Sequence, residues 1–208
     1  MRHVITTGVA GVLLALAASA TGAQQLSALP ERLAPTTRAT IERLADSLRG
    51  VGLPSQPLYA KAAEGVLKGA ADARIVAAIR TLARELGEAR AALGDESDEA
   101  ELIAGASALH AGASTSTLRR LREGRGPRRA KGALAVPLVV LADLASRGIP
   151  PAVAGASLEA LAARNASDDQ FTALRAAIER DIEAGRPPTD AMTARTRALL
   201  GSIEARRP

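Results

Sequence analysis

Ile41, Leu44 and Leu48 repeat at the three- to four-residue spacing of a helix with one apolar face, and Pro35 with the hydroxyls of Thr36 and Thr37 suits a helix start nearby. The pattern predicts a first helix from about Thr37, stopped by Gly50 and Gly52-Leu53-Pro54. Pro57 opens a second, running through Tyr59, Ala63 and Val66 to Gly69. The third is the longest. Ile75, Ile79, Leu82, Leu86 and Leu93 trace its apolar stripe, with Arg80, Arg84, Glu88 and Arg90 at more polar positions, and Gly94 ends it. A fourth carries Leu102, Ile103, Ala106 and Leu109, and a short fifth carries Leu118 and Leu121. The most apolar stretch, 133–142, predicts a helix from Leu134 to Ser146 with only Asp143 charged, so it should be the helix most surrounded by others; Pro137 fits if it falls in the first turn. Pro151 starts a small-residue helix with Gly155, Leu158 and Leu161. Ser167 begins the helix of Phe171, Leu174, Ile178 and Ile182, and Thr189 is expected to cap a last helix bearing Met192, Leu199 and Ile203.

Two of these stretches read as one design written twice. Sliding 44–87 onto 140–183 without a gap lays Gly52-Leu53-Pro54 on Gly148-Ile149-Pro150, Gly69 on Asn165 and Asp72 on Asp168. The same slide lays Ile75, Leu82 and Leu86 on Phe171, Ile178 and Ile182. Gly or Asn can close a helix in the left-handed conformation, and an acid or hydroxyl just beyond can cap the next, which makes a tight helix–helix turn. Ala111-Gly112-Ala113-Ser114 is a weaker third copy of that turn. The fold class expected is all-α, an irregular array of packed helical hairpins with about eight or nine helices sharing one core. Its paired helices resemble tetratricopeptide-type solenoids in architecture, but the aromatic and proline positions of that repeat are absent and the turns are unequally spaced. The likeness therefore implies no function.

The N-terminus changes the setting. Met1-Arg2-His3 followed by the small and apolar run 9–18 and by Ala18-Ser19-Ala20 or Thr21-Gly22-Ala23 is a signal-peptide pattern over 1–23. The apolar run is shorter than the ~20 residues that span a bilayer, although a retained anchor is the competing reading. The expected organisation is this signal peptide, a lead-in at 24–36 with Pro30 and Pro35, and one helical domain over 37–207, secreted or periplasmic, with no transmembrane helix in the mature chain. The chain has no cysteine, one Tyr and one Phe, so the core must be built from Ala, Leu, Val and Ile, and no large aromatic-lined pocket is expected.

The formal charge is +5, and most of the cations are arginine. Arg119, Arg120, Arg122, Arg125, Arg128, Arg129 and Lys131 crowd a short stretch opposed by Glu123 alone, with Gly124, Gly126, Pro127 and Gly132 marking 119–132 as a flexible basic connection. Such a cluster reads as a solvated linker or as a binder of anionic envelope polymer, lipid headgroups or nucleic acid by charge neutralisation; without interleaved aromatics the last is disfavoured, and no nucleic acid is expected.

Little else carries chemistry. Beyond the signal segment His110 is the one histidine, so a multi-histidine zinc site is excluded, and at the end of its predicted helix it would simply complement the dipole. Asp95, Glu96, Asp98, Glu99 and Glu101 crowd a helix start without the spacing of a calcium loop, and Glu179 and Glu183 share a face on which Arg175 is the expected partner of Glu179. Neither a phosphate-binding glycine loop nor a nucleophile elbow is present, and no cofactor, metal ligand or catalytic residue is assigned. The function expected is a non-enzymatic binding or scaffolding module for a protein or peptide partner in the cell envelope. A groove between hairpins would take the partner, and Arg120, Arg125, Arg128 and Arg129 would supply the charged contact. Two alternatives stand beside it: a binder of anionic envelope polymer or lipid through the basic connection, and a hydrolase working with carboxylates alone, which needs two acids from different helices in one concave pocket.

Overall fold

The computed structural model describes residues 29–126 and 132–205, and within them the chain is helical throughout, with nine helices and no strand. They are α1 (Pro35–Gly50), α2 (Gln56–Leu67), α3 (Asp72–Leu93), α4 (Glu99–His110), α5 (Thr115–Gly124), α6 (Ala135–Ser146), α7 (Pro151–Ala162), α8 (Asp168–Glu183) and α9 (Pro188–Glu204). None of them is long and apolar enough to cross a membrane. The signal-peptide pattern at 1–23 lies outside the described residues.

The turns repeat closely. After α1, α2, α4, α6, α7 and α8 the left-handed residue is Gly52, Gly69, Gly112, Gly148, Asn165 and Gly185 in turn, and Asn165 is the sole non-glycine with positive φ among the described residues. In each turn the next amide reaches back five residues, as from Leu53 to the Leu48 carbonyl and from Ile149 to that of Leu144. That hydrogen bond closes the orphan carbonyls of a helix end. The caps are less uniform than the sequence implies. Ser167 forms a reciprocal capping box with Gln170, and Ser114 and Asp98 each accept an amide of their own helix. Asp72 and Asp168 do not cap. Each is the first residue of its helix and reaches outward, Asp72 to the Ala34 amide at 2.9 Å and Asp168 to Arg125. The Ala34 amide holds the Asp72 carboxyl below the usual carboxylate range. Thr189 does not cap α9 either: the N-cap is Pro187, with Pro188 beginning the helix and no side-chain cap.

Helix packing departs from three hairpins. α2 and α3 lie side by side, but α7 and α8 diverge from their turn, and α9 packs on both of them. α4 and α5 likewise separate, each against α3. A tight turn fixes only how the chain leaves one helix; which helix fills the space beyond is decided by side chains. α3 thus receives α1, α2, α4 and α5, while α6, α7, α9 and α8 form a ring of four. α4 joins the halves by packing along both α3 and α6, so α4 is as enclosed as α6, the helix expected to be most surrounded. Its composition allows it. A Cβ on Gly105 would lie 3.0 Å from Leu93 Cδ1 and 3.1 Å from the Ala89 Cβ, a crossing open only to glycine or a shifted neighbour.

The aliphatic seams face inward in both copies. Leu86 and Ile178 are fully buried, and Leu82 and Ile182 are half-buried against the same core. Polar ties join the periphery. Glu101, fully buried, accepts the Leu134 amide at 3.0 Å and ties the start of α4 to the start of α6. Asp181 accepts two bonds from Arg195 at 2.6 and 2.9 Å and one from Arg186 at 3.0 Å, tying α8 to α9. The hydrogen bonds of Arg195 lower the Asp181 pKa from its ordinary value. Tyr59 on α2 donates to Glu42 on α1 at 2.7 Å and accepts from Arg49 at 3.4 Å, while burial pushes its phenol up.

Candidate functional site

The first part of the basic stretch, 119–124, is helix. Arg119, Arg120 and Arg122 lie on α5, which runs through to Gly124. Arg120 donates from Nε to Glu159 on α7 at 2.8 Å, and that bond raises its pKa. Arg125, with its side chain only 13 % exposed, bonds Asp168 at 3.2 Å and sits 5.2 Å from the centroid of the Phe171 ring. Two of the four arginines expected to meet a partner therefore hold α5 to α7 and α8. Arg128 and Arg129 lie outside the described residues.

A concave surface lies elsewhere. α2 and α4 stand on either side of α3 without packing on one another, which leaves a groove of about 420 Å³ floored by Leu82 and Leu86 of α3. α2 contributes Pro57, Ala60, Lys61 and Glu64, and α4 contributes Glu99, Ile103 and Ser107. These positions recur at helical spacing, so each wall is one face of its helix. A smaller hollow of about 180 Å³ continues the groove past Lys61, Leu82 and Ser107 to Ala78, Glu85, Ala106 and His110. Leu67 follows Glu64 by three residues on the same side of α2 and is 88 % exposed.

The far end of the groove holds a pair not singled out in the sequence. His110 closes α4, and its Nδ1 lies 3.2 Å from Oε1 of Glu85, a carboxylate whose side chain is 7 % exposed. The signal was legible: Glu85 falls three residues after Leu82 and four before Ala89, on the apolar stripe of α3. A charge on a buried stripe is the informative exception. The dipole role expected of His110 fits its place as the last residue of α4 but leaves Glu85 out.

Glu64 and Glu99, from different helices, border the same groove, which meets the first requirement of a carboxylate hydrolase. Glu64 is not placed to be the acid of such a pair. Lys68 and Lys61 bond it and hold its carboxyl down to about 2, far from the raised value a general acid needs. The sign gives a stability test. A depressed carboxyl contributes stability above its unfolded value of about 4.3 and loses it as pH falls toward the folded value. Glu64→Gln should therefore show a smaller drop in melting temperature between pH 5 and pH 2 than the wild type, by a modest margin because the side chain is 42 % exposed. Equal drops in both proteins would show that these lysines do not stabilise the fold.

Other candidates resolve into ion pairs. Glu179 is bonded by Arg147 at 2.8 Å and flanked by Arg175 at 3.7 Å, which also faces Asp143 at 3.6 Å. A hollow of about 460 Å³ between α7 and α9 is lined by Arg164, Thr196, Arg197 and Leu200, with Arg164 paired to Glu204. Among the described residues no three of His, Cys, Asp or Glu are grouped to hold a metal ion. No family model, curated protein or solved structure matches the chain.

Proposed function

We propose that the protein is a non-enzymatic binding module that receives a segment of a protein partner in the groove between α2, α3 and α4. The observation that supports this is the floor itself: Leu82 and Ile103 are left half-buried, and Ala60 exposed, in an elongated cleft with charged residues along its edges. Recognition grooves combine such an apolar floor with a few fixed polar groups. The signal-peptide pattern at 1–23 supports a place outside the cytoplasm, where the partner would be met.

A photo-crosslinking side chain at Ser107, which lines both parts of the groove, tests the reading in the native cell envelope. The expected result is one discrete adduct, reduced at least about tenfold by Ile103→Asp, since loss of a central apolar anchor commonly costs that much affinity. The same probe at exposed Ala73, away from the groove, is the control. Adducts of equal yield from both positions would remove the proposal.

A further inference from the structure

We infer that the groove is shaped for a basic amphipathic helix and that Glu85 is the residue that selects it. This rests on the groove being a binding site.

Secondary structure comes first. The walls and floor are helices, so their backbone groups are already bonded within each helix. An extended peptide laid between them would bury its own amides and carbonyls with no strand edge to pair with. A helix satisfies its backbone internally and brings only side chains to the cleft. The dimensions agree. The face of α4 from Glu99 to His110 is about 16 Å long at ~1.5 Å per residue, which matches about three turns of a docked helix.

Charge sets the sign. The protein is +5 overall, yet the groove is bordered by Glu64, Glu85 and Glu99 against Lys61 and the Lys68 that bonds Glu64, with His110 at the far end. A local reversal of sign on a cationic protein favours a cationic visitor and discourages non-specific adsorption of one. Glu85 occupies the decisive place. It is 6 % exposed beside Leu82 and Leu86, and its bond to the His110 ring runs to a side chain that is 67 % exposed and free to swing aside. A carboxylate so enclosed gains most from a charged donor at hydrogen-bond distance. A Lys or Arg of the visiting helix, one or two turns from the apolar residues resting on Leu82 and Ile103, would supply that donor.

The test uses three labelled helical peptides with one apolar face and a polar face of lysine, glutamine or glutamate, titrated into the mature protein and followed by anisotropy. The lysine peptide should bind at least about tenfold more tightly than the glutamine peptide, a margin that shrinks with salt. Glu85→Gln should bring the lysine peptide to within about threefold of the glutamine peptide while leaving the latter unchanged. Glu99→Gln, on the exposed wall, should lower the preference by a smaller factor and stands in if the Glu85 variant misfolds. Equal binding of lysine and glutamine peptides, or a preference surviving both substitutions, overturns the assignment to Glu85 and leaves the groove reading intact. Exclusion of all three peptides by a stable dimer, seen by sedimentation, would mean that a second copy fills the groove and would overturn it. Failure of every peptide together with loss of the Ser107 adduct removes both readings.

Discussion

Replacing Phe171 with alanine is expected to lower the unfolding free energy by about 3–5 kcal/mol, the range for truncating a fully buried phenylalanine. Phe171 is completely buried at the start of α8 and is the chain's only phenylalanine. Its ring also carries the Arg125 guanidinium at 5.2 Å. Arg125 has a buried Nε with no acceptor among the described residues, so it leans on that ring and on Asp168. Removing the ring opens a cavity and leaves an arginine partly desolvated beside it, two penalties at one position. Phe171→Leu retains most of the volume and should lose about half as much or less. Urea unfolding reads both. A loss under about 1 kcal/mol for the alanine variant would mean that the α5–α8 junction is held by something other than this stack.

Gly155→Ala is the second large effect, and its sign opposes helix propensity. Alanine is favoured over glycine inside a helix by about 1 kcal/mol. A Cβ at Gly155, however, would lie 2.6 Å from Thr117 Cγ2, where α7 crosses α5. Thr117 is buried, and its hydroxyl lies 3.0 Å from that of Ser114, so it has little room to yield. Overpacking of this kind costs about 1–3 kcal/mol, and we expect a net loss near the upper end. Thr117→Ser removes the offending methyl and keeps the hydroxyl. Combined with Gly155→Ala it should recover at least about 1 kcal/mol, a coupling that a double-mutant cycle isolates. Gly87→Ala supplies the control. It sits within α3 with nothing within 4 Å of the added atom, and should stabilise. Destabilisation by Gly87→Ala, or no rescue by Thr117→Ser, would refute the steric account.

Helix existence and turn chemistry were readable because both are local. Ile75, Ile79 and Leu86 declare a face by their spacing, and the slide of Gly52 onto Gly148 and of Gly69 onto Asn165 matches residues that share one backbone conformation and one closing hydrogen bond. What happens past the turn was not readable. Gly69 and Asn165 end their helices alike, yet α2 stays against α3 while α7 leaves α8, because partners distant in sequence fill the space. The first part of the basic stretch shows the same limit. Gly124 and Gly126 read as linker signals, but Leu118 and Leu121 bury one face of α5 and carry Arg120 and Arg125 toward Glu159 and Asp168, acids that lie 39 and 43 residues further along the chain. The groove has no sequence signature, since it exists only because α2 and α4 flank α3 without packing closely on one another. Glu85 was the one part of it written plainly, as an acid on an apolar stripe.

The bridge from Tyr59 to Glu42 also makes the molecule its own optical reporter. With no tryptophan and a single tyrosine, all tyrosine emission arises from one phenol. That phenol donates to a carboxylate at 2.7 Å, an arrangement that quenches tyrosine by drawing off its proton in the excited state. Brightening of the folded protein would then signal α1 lifting away from α2, unobscured by tryptophan or a second tyrosine.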